Sequence, residues 1–160
     1  MAFTRKVLAG LVTIVTVVLG LSLATAGTAT ADTGYWRPYG NTNPITSSSS
    51  TWECGSSLRL YGTNVVAQTC AIKSPRGTAA QAAVIVRNNQ SSTYIISAAT
   101  DLRRTGTGAG TILGVWHCPS SGVAANTWSV CFGRTLDYQG WVRSMGSVNN
   151  TDNLPESGWV

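Results

Sequence analysis

Beyond residue 50, apolar and polar side chains alternate in short runs; no apolar stripe recurs every third or fourth position. Alternation places residues i and i+2 on one face of an extended chain, so each run reads as a strand. The runs are Thr51–Cys54, Leu58–Tyr61, Val65–Lys73, Gln81–Arg87, Tyr94–Thr100, Ile112–Cys118, Thr127–Phe132 and Trp141–Met145. Between them stand Gly62-Thr63-Asn64, Ser74 to Gly77, Asn88 to Ser92, Thr105 to Gly110 and Pro119 to Gly122, whose Gly, Pro, Asn and Ser residues supply turn geometry. Strands punctuated in this way predict an all-β antiparallel β-sandwich, immunoglobulin-like or similar, with a small β-barrel as the alternative.

Within Gln81–Arg87, Ala82, Val84 and Val86 share one face and Ala83 and Ile85 the other, which predicts a central strand buried on both sides. Val65-Val66-Ala67 and Tyr94-Ile95-Ile96 read likewise. The segment from Ser147 onward lacks a pattern and is expected to be a loop or terminal wrap.

The N-terminal part divides differently. Arg5 and Lys6 precede an apolar run from Val7 to Leu23 and then small residues up to Ala29-Thr30-Ala31. This predicts a secretory signal peptide over residues 1–31. The competing reading is an uncleaved anchor, because the run approaches the ~20 residues that span a bilayer, although Gly10, Thr13, Thr16 and Gly20 dilute it. Residues 32–50, rich in Ser, Thr, Gly and Pro, read as a flexible leader, and residues 51–160 as one β domain. Tyr35, Trp36 and Tyr39 around Arg37 either form a sticky patch or tuck against that domain.

After removal of residues 1–31 the chain carries nine Lys or Arg against six Asp or Glu, a net charge of +3. These cations are dispersed, so nothing resembles the polybasic surface that nucleic acid requires. No later segment is apolar enough to span a membrane as a helix.

Cys54, Cys70, Cys118 and Cys131 are an even set in an exported chain and predict two disulfides. Zinc fits poorly, since no pair has short C-x-x-C spacing and His117 is the one histidine. Trp52-Glu53-Cys54-Gly55-Ser56-Ser57 and Trp116-His117-Cys118-Pro119-Ser120-Ser121 share a W-x-C-x-S-S pattern, each followed by one further cysteine. Two stapled hairpins, Cys54 with Cys70 and Cys118 with Cys131, follow from that repeat. Cys54 with Cys118 and Cys70 with Cys131 is the alternative, resembling an inter-sheet immunoglobulin bridge. Alternation also places each tryptophan on the face of its cysteine, against the disulfide.

No catalytic set emerges. His117 would project opposite Trp116 and Cys118, where a serine with Asp101 or Asp137 could meet it, but G-x-S-x-G is absent. Glu53, Asp101, Asp137, Asp152 and Glu156 are not placed by any motif as a glycosidase pair. Thr105-Gly106-Thr107-Gly108-Ala109-Gly110 lacks the lysine and helix of a phosphate loop and reads as a hairpin connection. No metal or cofactor is expected. What remains is a surplus of aromatics, six Trp and five Tyr, all beyond residue 31. Trp52 and Trp116 read as core, whereas Trp128, Tyr138 and Trp141 near strand ends are the candidate ligand-binding residues.

Asn64–Cys70, Gln81–Asn89 and Gly122–Thr135 resemble segments of small secreted actinomycete proteins, a resemblance covering about Trp52 to Val142. It implies export from a high-GC Gram-positive bacterium and one compact domain, and it transfers no catalytic residues. Subtilisin-inhibitor proteins and enediyne apoproteins are similar only in size and cysteine count. The expectation is a secreted, non-enzymatic domain that binds a cell-wall polymer, carbohydrate or protein. The alternatives are an extracellular serine protease inhibitor acting through Cys118-Pro119-Ser120-Ser121, and a small secreted hydrolase.

Overall fold

A computed structural model describes residues 31–160; the segment read as a signal peptide lies, but for Ala31, outside the described residues. Twelve strands form two sheets, with no helix among the described residues. The smaller sheet has the order β1 (Asp32–Thr33), β8 (Thr111–Val123), β7 (Tyr94–Arg104), β11 (Val142–Val148), β12 (Asp152–Leu154). The larger runs β2 (Tyr35–Gly40), β9 (Thr127–Phe132), β6 (Ala79–Asn88), β5 (Val65–Lys73), β3 (Thr51–Cys54), with β4 (Leu58–Arg59) on β5 and β10 (Leu136–Asp137) on β6. All pairings are antiparallel except β1 with β8. The sheets pack face to face as a sandwich and do not close into a barrel.

Alternation sets the layers. Val84 and Val86 of β6 meet Ile96, Ala98 and Val148 of the smaller sheet, while Ala71, Ala80 and Ala82 meet Leu102, Trp116 and Val142. The small alanines of the larger sheet leave room for the Trp116 indole, which is 1% exposed. A Cβ on Gly133 would stand 2.4 Å from Trp116 Cε3, and one on Gly114 2.5 Å from Cη2 and Cζ2, so two glycines receive the ring. The indole therefore lies toward Gly114 and Gly133 and packs in a cluster separate from Cys118 and Cys131, unlike the disulfide-stacked position that alternation suggests. Trp52 does pack with Cys54 and Cys70.

Both expected disulfides are present, Cys54–Cys70 and Cys118–Cys131. Cys54 and Cys70 face each other across β3 and β5 within one sheet. The second bond joins β8 to β9, hence one sheet to the other, and is not a hairpin staple.

Residues 32–50 are not a detached leader. β2 pairs along β9, Trp36 Nε1 donates to the Pro119 carbonyl at 2.7 Å, and Tyr39 and Ile45 pack on the outer face of the larger sheet over Ala83, Ile85, Val130 and Phe132. This second cover is why β6 is buried on both faces, as its sequence predicts. Composition hides the pairing because Pro38 and Gly40 interrupt alternation, and both sit where the register shifts. Pro119 misleads in the opposite way. The turn expected at Pro119–Gly122 is continuous strand, with a register irregularity between the partner positions Ile96 and Ala98, where a proline is tolerated.

The C-terminal wrap closes the edge of β11. After β12, Ser157 N donates to Ser144 O and Val160 exchanges both backbone hydrogen bonds with Val142. Asn149 and Asn150, with φ of 53° and 60°, form the tight turn before β12, a conformation asparagine tolerates better than most residues.

Candidate functional site

Three surfaces could carry chemistry. On the outer face of the smaller sheet, Ala99, Asp101, Val115, Met145, Ser147 and Asn153 line a shallow trough of about 240 Å³. Its acid is already engaged. Arg103 Nη2 lies 2.6 Å from Asp101 Oδ2, Arg103 Nε donates to the same carboxylate, and Met145 N donates to Oδ1 at 3.2 Å. The hydrogen bonds that Arg103 donates to Asp101 raise the Arg103 pKa against the opposing effect of burial, so this guanidinium stays charged. His117 projects from this face, opposite Trp116 and Cys118 as expected. Its strand partners are Ala99 and Thr33, with Asp101, opposite Val115, two register positions along. Among the described residues its ring makes no hydrogen bond with a serine or carboxylate.

The other acids are spread over the molecule. Glu156 lies 2.5 Å from Arg143 on the C-terminal wrap, Asp137 is exposed on β10, Glu53 lies on β3 and Asp152 begins β12. Among the described residues no group of three or more His, Cys, Asp or Glu is arranged to hold a metal ion. The segment considered for protease binding, Cys118–Ser121, is part of β8 and does not protrude as a loop.

Trp128 belongs to the second surface. It packs on the outer face of the larger sheet with the Arg87 guanidinium 5.3 Å above its ring. That guanidinium donates to Asn89 Oδ1, Asn41 Oδ1 and the Asn126 carbonyl, which makes the pair a brace for the β2 and β9 ends.

The third surface is the end of the sandwich where the β5–β6 hairpin, the segment before β11 and the C-terminal wrap converge. Lys73, Gly77, Gln139, Gly140, Trp141 and Val160 line an open recess of about 210 Å³ there. Trp141 is 63% exposed, whereas Tyr138 is half-buried against Leu102, Trp116 and Val142. Lys73, which occupies an inward-facing position at the end of β5, is 7% exposed. Its Nζ donates to the Tyr138 carbonyl at 2.7 Å and lies 5.4 Å from the Tyr138 ring centroid. Burial lowers the Lys73 pKa from its ordinary value. Gly77, with φ of 68°, turns the hairpin at the edge of the recess, a conformation that favours glycine.

The structure thus puts Trp141 on the recess, packs Tyr138 into the core behind it, and keeps Trp128 apart. Trp128 pairs with Arg87 at one end of β6 and Tyr138 N donates to Thr78 O beyond the other, roughly 30 Å away at strand rise. Lys73 was not singled out by sequence. Its one signal is a cation on the inward face of a strand otherwise lined by Val65, Ala67, Thr69 and Ala71.

No protein-family model and no curated protein matches the sequence. Among solved structures, a calcium-binding mutant of Bacteroides uniformis β-glucuronidase 2 is similar over 68% of this chain and 13% of that one, at 9% identity and a TM-score of 0.33. This chain therefore spans a small part of that protein's length.

Proposed function

We propose that this is a secreted, non-catalytic binding domain that holds a carbohydrate or cell-wall polymer at the Tyr138–Trp141 end of the sandwich. The observation that carries the reading is the Trp141 indole, 63% exposed at the rim of a recess that also offers Gln139, the Gly140 backbone and the Lys73 ammonium. An exposed indole presents a flat apolar face to the C–H groups of a sugar ring, while nearby polar groups bond its hydroxyls. At about 210 Å³ the recess is smaller than the ~300–1,000 Å³ clefts that enclose whole small molecules, which suits one residue of a longer polymer. Two disulfides agree with an oxidising, extracellular setting, and no helix among the described residues is long and apolar enough to cross a membrane. The actinomycete resemblance supports the same setting.

A glycan array and a cell-wall pull-down test the reading. Binding that is lost in Trp141→Ala and retained in Trp128→Phe supports it. Blank results in both assays at high protein concentration overturn it.

A further inference from the structure

Lys73 is the sole lysine among the described residues, and it is buried without a counter-charge. The ion pairs among those residues are Arg103–Asp101, Arg134–Asp32 and Arg143–Glu156, none of which involves it. An ammonium has three N–H donors, and the structure gives Lys73 one acceptor, the Tyr138 carbonyl. A buried cation ordinarily requires pairing, because removal from water penalises the charged form. The depressed pKa is that penalty. Lysine heads usually escape by extending to solvent, yet this one is held under Tyr138 and lines the recess whose rim is Trp141.

Resting on the carbohydrate reading above, we infer that the recess selects an anionic glycan, one whose carboxylate or phosphate takes the free donors of Lys73 while a sugar ring lies on Trp141. The ligand supplies the counter-charge that the fold withholds. A charge-assisted hydrogen bond of this kind favours the acidic ligand over its neutral counterpart by about 10-fold to 100-fold. Deprotonation of Lys73 removes that preference, and burial brings the loss to a pH below the ordinary lysine value of 10.5.

The test is an array of matched glycans, each present as a free acid, as its neutral methyl ester and as a phosphorylated form, probed with wild-type protein, Lys73→Met, Lys73→Arg and Trp141→Ala. The expected result is at least 10-fold tighter binding of acids than esters by wild type, lost in Lys73→Met and kept in Lys73→Arg. The carboxylated and phosphorylated arms show which anion is preferred. Equal binding of acids and esters, abolished by Trp141→Ala, overturns the anionic inference and leaves the carbohydrate reading standing. An acid preference that survives in Lys73→Met likewise overturns it, by assigning the anion to another cation. Binding of none of the glycans overturns both. Should Lys73→Met fail to fold, the wild-type preference is followed with pH; persistence unchanged through pH 10.5 contradicts the role given to Lys73.

Discussion

Substituting Gly133 by alanine adds one methyl group where the Trp116 indole already lies. The new carbon would sit 2.4 Å from Cε3 and 2.5 Å from Cδ2, against the ~3.5–4.0 Å at which carbon atoms pack favourably. The ring would have to move by about 1 Å, the difference between those separations. It has little room, because Trp116 is 1% exposed and its far edge abuts Gly114. Overpacking of this kind costs about 1–3 kcal/mol, and a rigid indole held from two sides places the cost at the upper end. For a domain of this size, 3 kcal/mol lowers Tm by roughly 10 °C, at about 3–4 °C per kcal/mol. Thermal unfolding followed by near-ultraviolet circular dichroism measures it. The decisive comparison is a double-mutant cycle with Trp116→Leu, which removes the obstructing ring. Gly133→Ala should cost at least 1 kcal/mol less in that background. Equal cost in both backgrounds would refute the claim that the glycine exists to admit the indole.

Trp141→Ala should change Tm by less than about 2 °C, since a 63% exposed side chain contributes little packing, while abolishing glycan binding; differential scanning fluorimetry checks the first part. Removing Cys118–Cys131 by paired serine substitution should cost about 3 kcal/mol from loop entropy, read by urea unfolding, and Cys54–Cys70 about the same because the loops span 13 and 16 residues. Asp101→Asn should cost about 1–3 kcal/mol, because it removes a charged partner of the largely buried Arg103 guanidinium. Lys73 has a folded-state pKa below its unfolded value, so between the two the unfolded chain binds more protons and stability rises with pH, levelling near 10.5. Stability measured against pH for wild type minus Lys73→Met should show that rise, and a flat difference would contradict it.

Strand existence was legible wherever alternation persisted. Thr51–Cys54, Val65–Lys73 and Thr127–Phe132 have the boundaries the pattern predicts, and the buried character of β6 follows from its two apolar faces. The repeated W-x-C motif predicted the cysteine partners but not that β8 and β9 lie in different sheets, since that depends on long-range strand order. Residues 32–50 were misread because β2 gains its order from pairing with β9 and from packing on Phe132, neither visible in local composition. The candidate site was legible in part. Tyr138 and Trp141 are close in sequence, whereas Lys73 reaches them only through the fold, and no local signal separates Trp128 from them.

Glycan binding at this end of the sandwich depends on Trp141 as the contact with a sugar. Indole N–H resonances of Trp36, Trp52, Trp116, Trp128, Trp141 and Trp159, recorded while a binding glycan is titrated, test this directly. The prediction is a saturable shift at Trp141, with the buried Trp116 unmoved. Shifts centred on Trp128, or no shift at Trp141 at saturating glycan, would contradict it.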